Sequence, residues 1–158
     1  MTTIAWDGYV LAADTQATAG GIICSLKERK IFCPSISEKW HIGGDNVVAL
    51  GCSGECGAEY ELIGHLDTGL SYSSEFVPTV EFSALAIVAR GKAYLIIKNA
   101  GDKTASISLL RDPYALGSGS TIAQTAMHCG ESAFDAVRIA IEMDVYSGGK
   151  IDSFDASQ

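Results

Sequence analysis

The sequence is poor in the features that mark disordered, fibrous, membrane-spanning or secreted chains. Its 158 residues include only three prolines, and no linker, internal repeat or low-complexity segment interrupts them. A single domain over residues 1–158 is expected, large enough to bury roughly two-thirds of the surface its unfolded chain exposes. No apolar run reaches the ~20 residues that cross a bilayer, and Met1 is followed by a threonine, not by a basic stretch and an apolar one. The expectation is a protein neither secreted by that route nor anchored, with no membrane partner. Basic residues are scarce: 11 Lys and Arg against 19 Asp and Glu leave a net charge of -8. Such a surface repels a phosphate backbone, so nucleic acid is not an expected partner. Cysteine is present but unorganised. Cys24, Cys33, Cys52, Cys56 and Cys129 are odd in number and scattered, which fits reduced thiols in a cytoplasm better than a disulfide framework. Cys52 and Cys56 lack both a CxxC pair and a histidine at ligand spacing, so packing residues are expected there, with no metal site and no cofactor.

What the chain does have is apolar residues, 47% of the total, and 17 glycines. Those proportions describe a compact domain with many tight turns. TTIAW and YVLAAD read as two strands joined across Asp7-Gly8. After a break at Gly20-Gly21, a strand is expected around Lys30-Ile31-Phe32. KWHIG and NVVALG form a second hairpin across residues 43–46. Apolar or small residues at Ala58, Leu62, Ile63 and Leu66 predict an amphipathic helix closed by Gly69. SALAIVA and KAYLIIK flank an Arg90-Gly91 turn, and TASISLL adds a strand. One or two helices follow over STIAQTAMHCGESAFDAVRIAIEM, broken near Gly130, with Ser120 and Ser132 as N-caps. KIDSFDAS is a last strand. This order predicts a layered α+β domain and not a repeating βαβ unit.

Two threonines stand directly behind Met1. An N-terminal threonine carries both a hydroxyl nucleophile and, in its own α-amine with a reference pKa near ~8, a general base suited to neutral pH. The small side chain of Thr2 is what removal of Met1 generally requires. Many cytosolic chains begin Met-Thr, however, so this start on its own indicates nothing.

Five segments taken in order carry more. TTIAW-DG-YVLAADTQAT, KERKIF, ALGCSGECGAEY, YALGSGSTIAQTA and MDVYSGG together resemble the proteasome β-subunits and their bacterial relative HslV, members of the N-terminal nucleophile hydrolases. The resemblance implies a four-layer αββα sandwich with two antiparallel sheets between helix layers. It implies that Thr2 is the nucleophile, Asp14 the acid beside the catalytic lysine, and Lys30 that lysine, with Lys27 as runner-up. Gly54 would supply an oxyanion N–H, Ser118 would stand next to the threonine, and Asp144 and Ser147 would order its amino group. Cys52 would line the first substrate pocket with Ala19 and Gly20 opposite, a small floor suited to modest apolar side chains.

The implied activity is hydrolysis of peptide bonds through an acyl-enzyme, conditional on Met1 removal, since a retained Met acylates the base. Family members form homo-oligomeric rings around peptide or unfolded-protein substrates, and HslV pairs with an AAA+ ATPase. An amidohydrolase acting on a small non-peptide amide, or an inactive scaffold subunit of the same kind, are the alternatives. The chain is nearer in size to HslV, whereas DVYSGG is nearer to the proteasome.

Overall fold

The computed structural model describes residues 2–77, 79–88 and 91–157. Met1, on which the expected processing rests, and Arg90, in the expected turn, lie outside the described residues.

The first hairpin joins β1 (Thr3–Trp6) to β2 (Val10–Ala13). Its turn is locked by Asp7 Oδ1, which accepts the Tyr9 and Val10 N–H groups at 2.9 and 2.8 Å, the short-range bonding that makes Asp a turn residue. β3 (Ala17–Ala19) and β4 (Ile22–Ser25) follow, then β5 (Ile31–Phe32), β6 (Trp40–Ile42), the long β7 (Asp45–Gly54) and helix α1 (Ala58–Thr68). β8 (Phe82–Val88), β9 (Lys92–Lys98), β10 (Ser106–Leu110) and β11 (Tyr114–Gly117) lead to α2 (Ser120–His128), α3 (Ala133–Met143) and β12 (Asp152–Asp155). Ser132 caps α3 by accepting the Asp135 N–H at 3.2 Å. The expected cap at Ser120 is instead its first helical residue, with Gly119 at the N-cap.

Among the described residues strand accounts for 38% and helix for 20%, in three antiparallel sheets. One is ordered β11-β1-β2-β12, the second β10-β9-β8-β7-β5 with β6 also paired to β7, and β3-β4 stand apart. This corrects the expected α+β four-layer αββα sandwich: the domain is mostly β, with three helices among the described residues. The stretch expected as a mere break at Gly20-Gly21 is a separate two-stranded sheet, which adds strand outside the two expected sheets. Beyond α1, Gly69 (φ 99°) ends the helix, and Ser74 donates its N–H to the Ser71 carbonyl at 3.1 Å.

The period of two along the strands sorts the core. Ile4, Trp6 and Leu11 point to the larger sheet and meet Ala49, Leu85 and Ile87. Their neighbours Ala5 and Ala12 face the helices and meet Ala123, Ala136 and Ala140. Small residues on both sides let α2 and α3 lie close on that sheet. On the other side of the larger sheet, Leu62 and Leu66 of α1 pack with Leu50, Phe76 and Phe82. The consequence for function is positional: the starts of β1, β5 and the end of β7 converge.

Candidate active site

Antiparallel pairing of β1 with β2 sets Ile4 opposite Ala13, so Asp14 emerges beside Thr3. The two residues bond in both directions: the Asp14 N–H donates to the Thr3 carbonyl (3.1 Å) and the Thr3 N–H to Asp14 Oδ1 (2.9 Å). Asp14 is fully buried and Lys30 is 5% exposed. Lys30 Nζ lies 2.7 Å from Asp14 Oδ1 and donates to the Gln16 carbonyl at 2.7 Å. Asp14 Oδ2 accepts the N–H groups of Gly148 (3.0 Å) and Gln16 (3.3 Å). Burial pushes the Lys30 ammonium below its ordinary value, while the hydrogen bond and charge of Asp14 act the other way. Lys27, the alternative lysine, is exposed.

Lys30 is aimed by its backbone. β5 pairs with β7 through Ile31 and Gly51, and the Cys52 N–H donates to the Lys30 carbonyl at 3.2 Å. That pairing brings the lysine to the end of β7, where Gly54 adopts φ 147° and a Cβ would strike the Phe82 backbone. Thr2, Lys30, Cys52 and Gly54 line one cavity of about 120 Å³, with Ala17 and Thr18 on its other side. Gly54 also borders a neighbouring cavity of about 340 Å³ that reaches Phe82 and Gly117. Ala19 and Gly20, expected as the opposite wall, are exposed at the tip of the β3–β4 hairpin and line neither space. Burial, and then the charge of Glu59, push the Cys52 thiol up to about 12. It therefore stays protonated at neutral pH and is a packing surface, not a nucleophile.

A second cluster forms behind the Thr2 backbone. Ser118 follows β11, and its Oγ accepts the Thr2 N–H at 3.2 Å. Asp144, at the end of α3, has its Oδ2 2.7 Å from both Ser118 Oγ and Ser147 Oγ. Each serine has one hydroxyl proton, and both give it to the carboxylate, the stronger acceptor. Ser147 Oγ is then left to accept from Thr3 Oγ1 at 2.6 Å. Burial opposes ionisation of Asp144, but the hydrogen bonds from Ser147, Ser118 and the Tyr146 N–H prevail and hold its carboxyl below the usual range. Glycine is required for this approach: a Cβ on Gly117 (φ 93°) would land on the Thr2 carbonyl, and one on Gly119 on Thr3 Oγ1.

The seven expected catalytic residues, Thr2 included, thus lie together, in two groups. Thr2, Lys30 and Gly54 border the cavity, whereas Asp14, Ser118, Asp144 and Ser147 do not and act on the Thr2–Thr3 segment or on Lys30. Gln16 and Gly148 are structural members that sequence reasoning missed. The SGG segment pointed near Gly148, but nothing in it signals a backbone N–H directed at Asp14.

No family model matches the chain, and no curated protein does. Among solved structures, BPH of Thiobacillus denitrificans in complex with epoxomicin aligns with a TM-score of 0.62 at 18% identity, covering 97% of this chain and 96% of that one. A further structure of BPH gives 0.60 at 21% identity, covering 97% and 95%. The chain has the fold of BPH. At such identities the likeness to BPH is one of fold.

Proposed function

We propose that the protein is a threonine-type peptidase that hydrolyses peptide bonds through an acyl-enzyme on Thr2 after Met1 is removed. The observation that carries this reading is the shared cavity of Thr2 and Lys30, in which the lysine is buried against Asp14 and the Thr2 nitrogen rests on Ser118. With Thr2 first in the chain, that nitrogen is an α-amine. It takes the Thr2 hydroxyl proton as Oγ attacks the scissile carbonyl, and gives a proton to the leaving amine as the tetrahedral intermediate collapses. Water then attacks the ester, the α-amine again serving as base, and Oγ recovers its proton. Lys30, as a nearby cation, favours the alkoxide and lowers the proton affinity of the amine. The Gly54 N–H faces the developing oxyanion, a role whose loss typically costs about 3 kcal/mol.

The fold likeness to BPH, a protein solved with the proteasome inhibitor epoxomicin, supports the same reading. It extends to a cytoplasmic homo-oligomeric ring that admits peptides or unfolded protein, with an AAA+ ATPase as the class of partner that delivers them. The test begins with intact mass, to establish that Thr2 is the first residue. Epoxomicin is then expected to add one inhibitor mass per chain and stop cleavage of short peptide amides, and Thr2→Ala to abolish both. Undiminished hydrolysis by Thr2→Ala would overturn the proposal.

A further inference from the structure

The cavity beside Thr2 is more strongly charged than the small, weakly polar floor expected from Cys52 and its neighbours. Three carboxylates, Glu28, Glu55 and Glu59, share its lining with Thr2, and the cations there are Arg29 and Lys30. Lys30 is neutralised by Asp14 at 2.7 Å, and Arg29 lies over the Phe32 ring at 5.9 Å. Counting Lys30 with Asp14 as neutral, three negative charges face one positive charge. Glu59 is half-buried in the first turn of α1, where its Oε2 accepts the Gly57 N–H at 3.2 Å. It also stands close enough to Cys52 to raise that thiol. Cys52, Phe32 and Ala17 supply apolar surface beneath the carboxylates. An aliphatic stem ending in a cation matches this sequence of surfaces, because the stem packs while the head meets charge.

We infer that the site selects substrates with a lysine or arginine side chain next to the scissile bond, with Glu59 as the principal specificity residue. This rests on the reading of Thr2 as nucleophile. Among peptide amides differing only in that residue, the Lys and Arg substrates are expected to show the highest kcat/KM, above Leu and far above Glu. Glu59→Gln is expected to lower the Lys-to-Leu ratio about tenfold, equivalent to about 1.4 kcal/mol, and added salt to lower it in the parent protein. A Leu preference, or a ratio unchanged in Glu59→Gln, overturns the inference while leaving the peptidase reading intact. Fluorescence anisotropy of dye-labelled peptides on Thr2→Ala separates the two ideas. Lysine-selective binding that Glu59→Gln weakens, with no peptide turnover by the parent, supports the pocket and sinks the peptidase. Equal binding of Lys and Leu peptides sinks the pocket.

Discussion

Replacing Asp14 by Asn tests the buried pair at the centre of the site. Four donors converge on this one carboxylate: Lys30 Nζ and the Thr3 N–H on Oδ1, and the Gly148 and Gln16 N–H groups on Oδ2. An amide of the same shape offers one acceptor oxygen, so in either orientation its NH₂ opposes two donors. Each buried donor left without a partner costs about 1–3 kcal/mol, and a buried cation deprived of its counter-charge about 3–5. These terms overlap on Lys30, which can shed its proton, so a net loss of about 4 kcal/mol is expected at pH 7. For a chain of this length that corresponds to a melting point lower by roughly 8–16 °C. Lys30→Met is expected to cost about half as much, because it leaves Asp14 with three backbone donors.

The pH dependence of Asp14→Asn carries a sign. Lys30 is already held below its ordinary value when folded, and losing Asp14 lowers it further. The unfolded chain then binds more protons than the folded one between the folded value and ~10.5, so stability rises with pH across that window. The deficit of Asp14→Asn should therefore shrink between pH 7 and pH 9. Urea titrations followed by circular dichroism at the two pH values measure both quantities. A loss under about 1 kcal/mol at pH 7, or a deficit that widens at pH 9, refutes the account of the pair.

Two further substitutions probe the second cluster. Gly117→Ala introduces a Cβ at φ 93° onto the Thr2 carbonyl, whereas Gly130→Ala introduces one at φ 102° into open space; both carry the left-handed strain of about 1–2 kcal/mol. Gly117→Ala should cost at least about 1 kcal/mol more in parallel thermal melts, and equal losses would remove the close approach as a cause. Asp144→Asn addresses acid stability. Its folded carboxyl is held below its ordinary value, so its stabilising contribution is complete above that value and lost as pH falls through the folded one. The parent should lose more stability than Asp144→Asn between pH 5 and pH 2, and parallel stability curves would contradict this.

The local features of the fold were legible because their causes are local. Asp7-Gly8 announces the first hairpin through Asp7's bonds to Tyr9 and Val10, and the spacing of Ala58, Leu62 and Leu66 announces α1, whose buried face they form. The number of sheets was not legible, because it depends on which strands meet. β12 pairs with β2 across most of the chain, and β3 with β4 across two glycines that read only as a break. The site was legible as residue types and their order, but not as a pocket. Nothing in CSGECGAEY distinguishes the half-buried Cys52 thiol from the carboxylates that accompany it, since Glu55 and Glu59 enter the cavity only because β7 ends and α1 begins at its rim.

The bonds around Asp14 tie the proposed chemistry at Thr2 to the stability of the fold. Asp14 binds the backbone next to Thr2, the ammonium of Lys30 and the N–H next to Ser147, three segments that meet only through tertiary structure. Thr3 contributes the complementary link, its N–H to Asp14 and its hydroxyl to Ser147. The Thr2–Thr3 segment is therefore held from both clusters at once, and a nucleophile placed there gains its orientation from bonds made by its neighbour. If Thr2 acts as proposed, this rigidity fixes its hydroxyl and amine during folding, so that only the substrate carbonyl has to be positioned at each turnover.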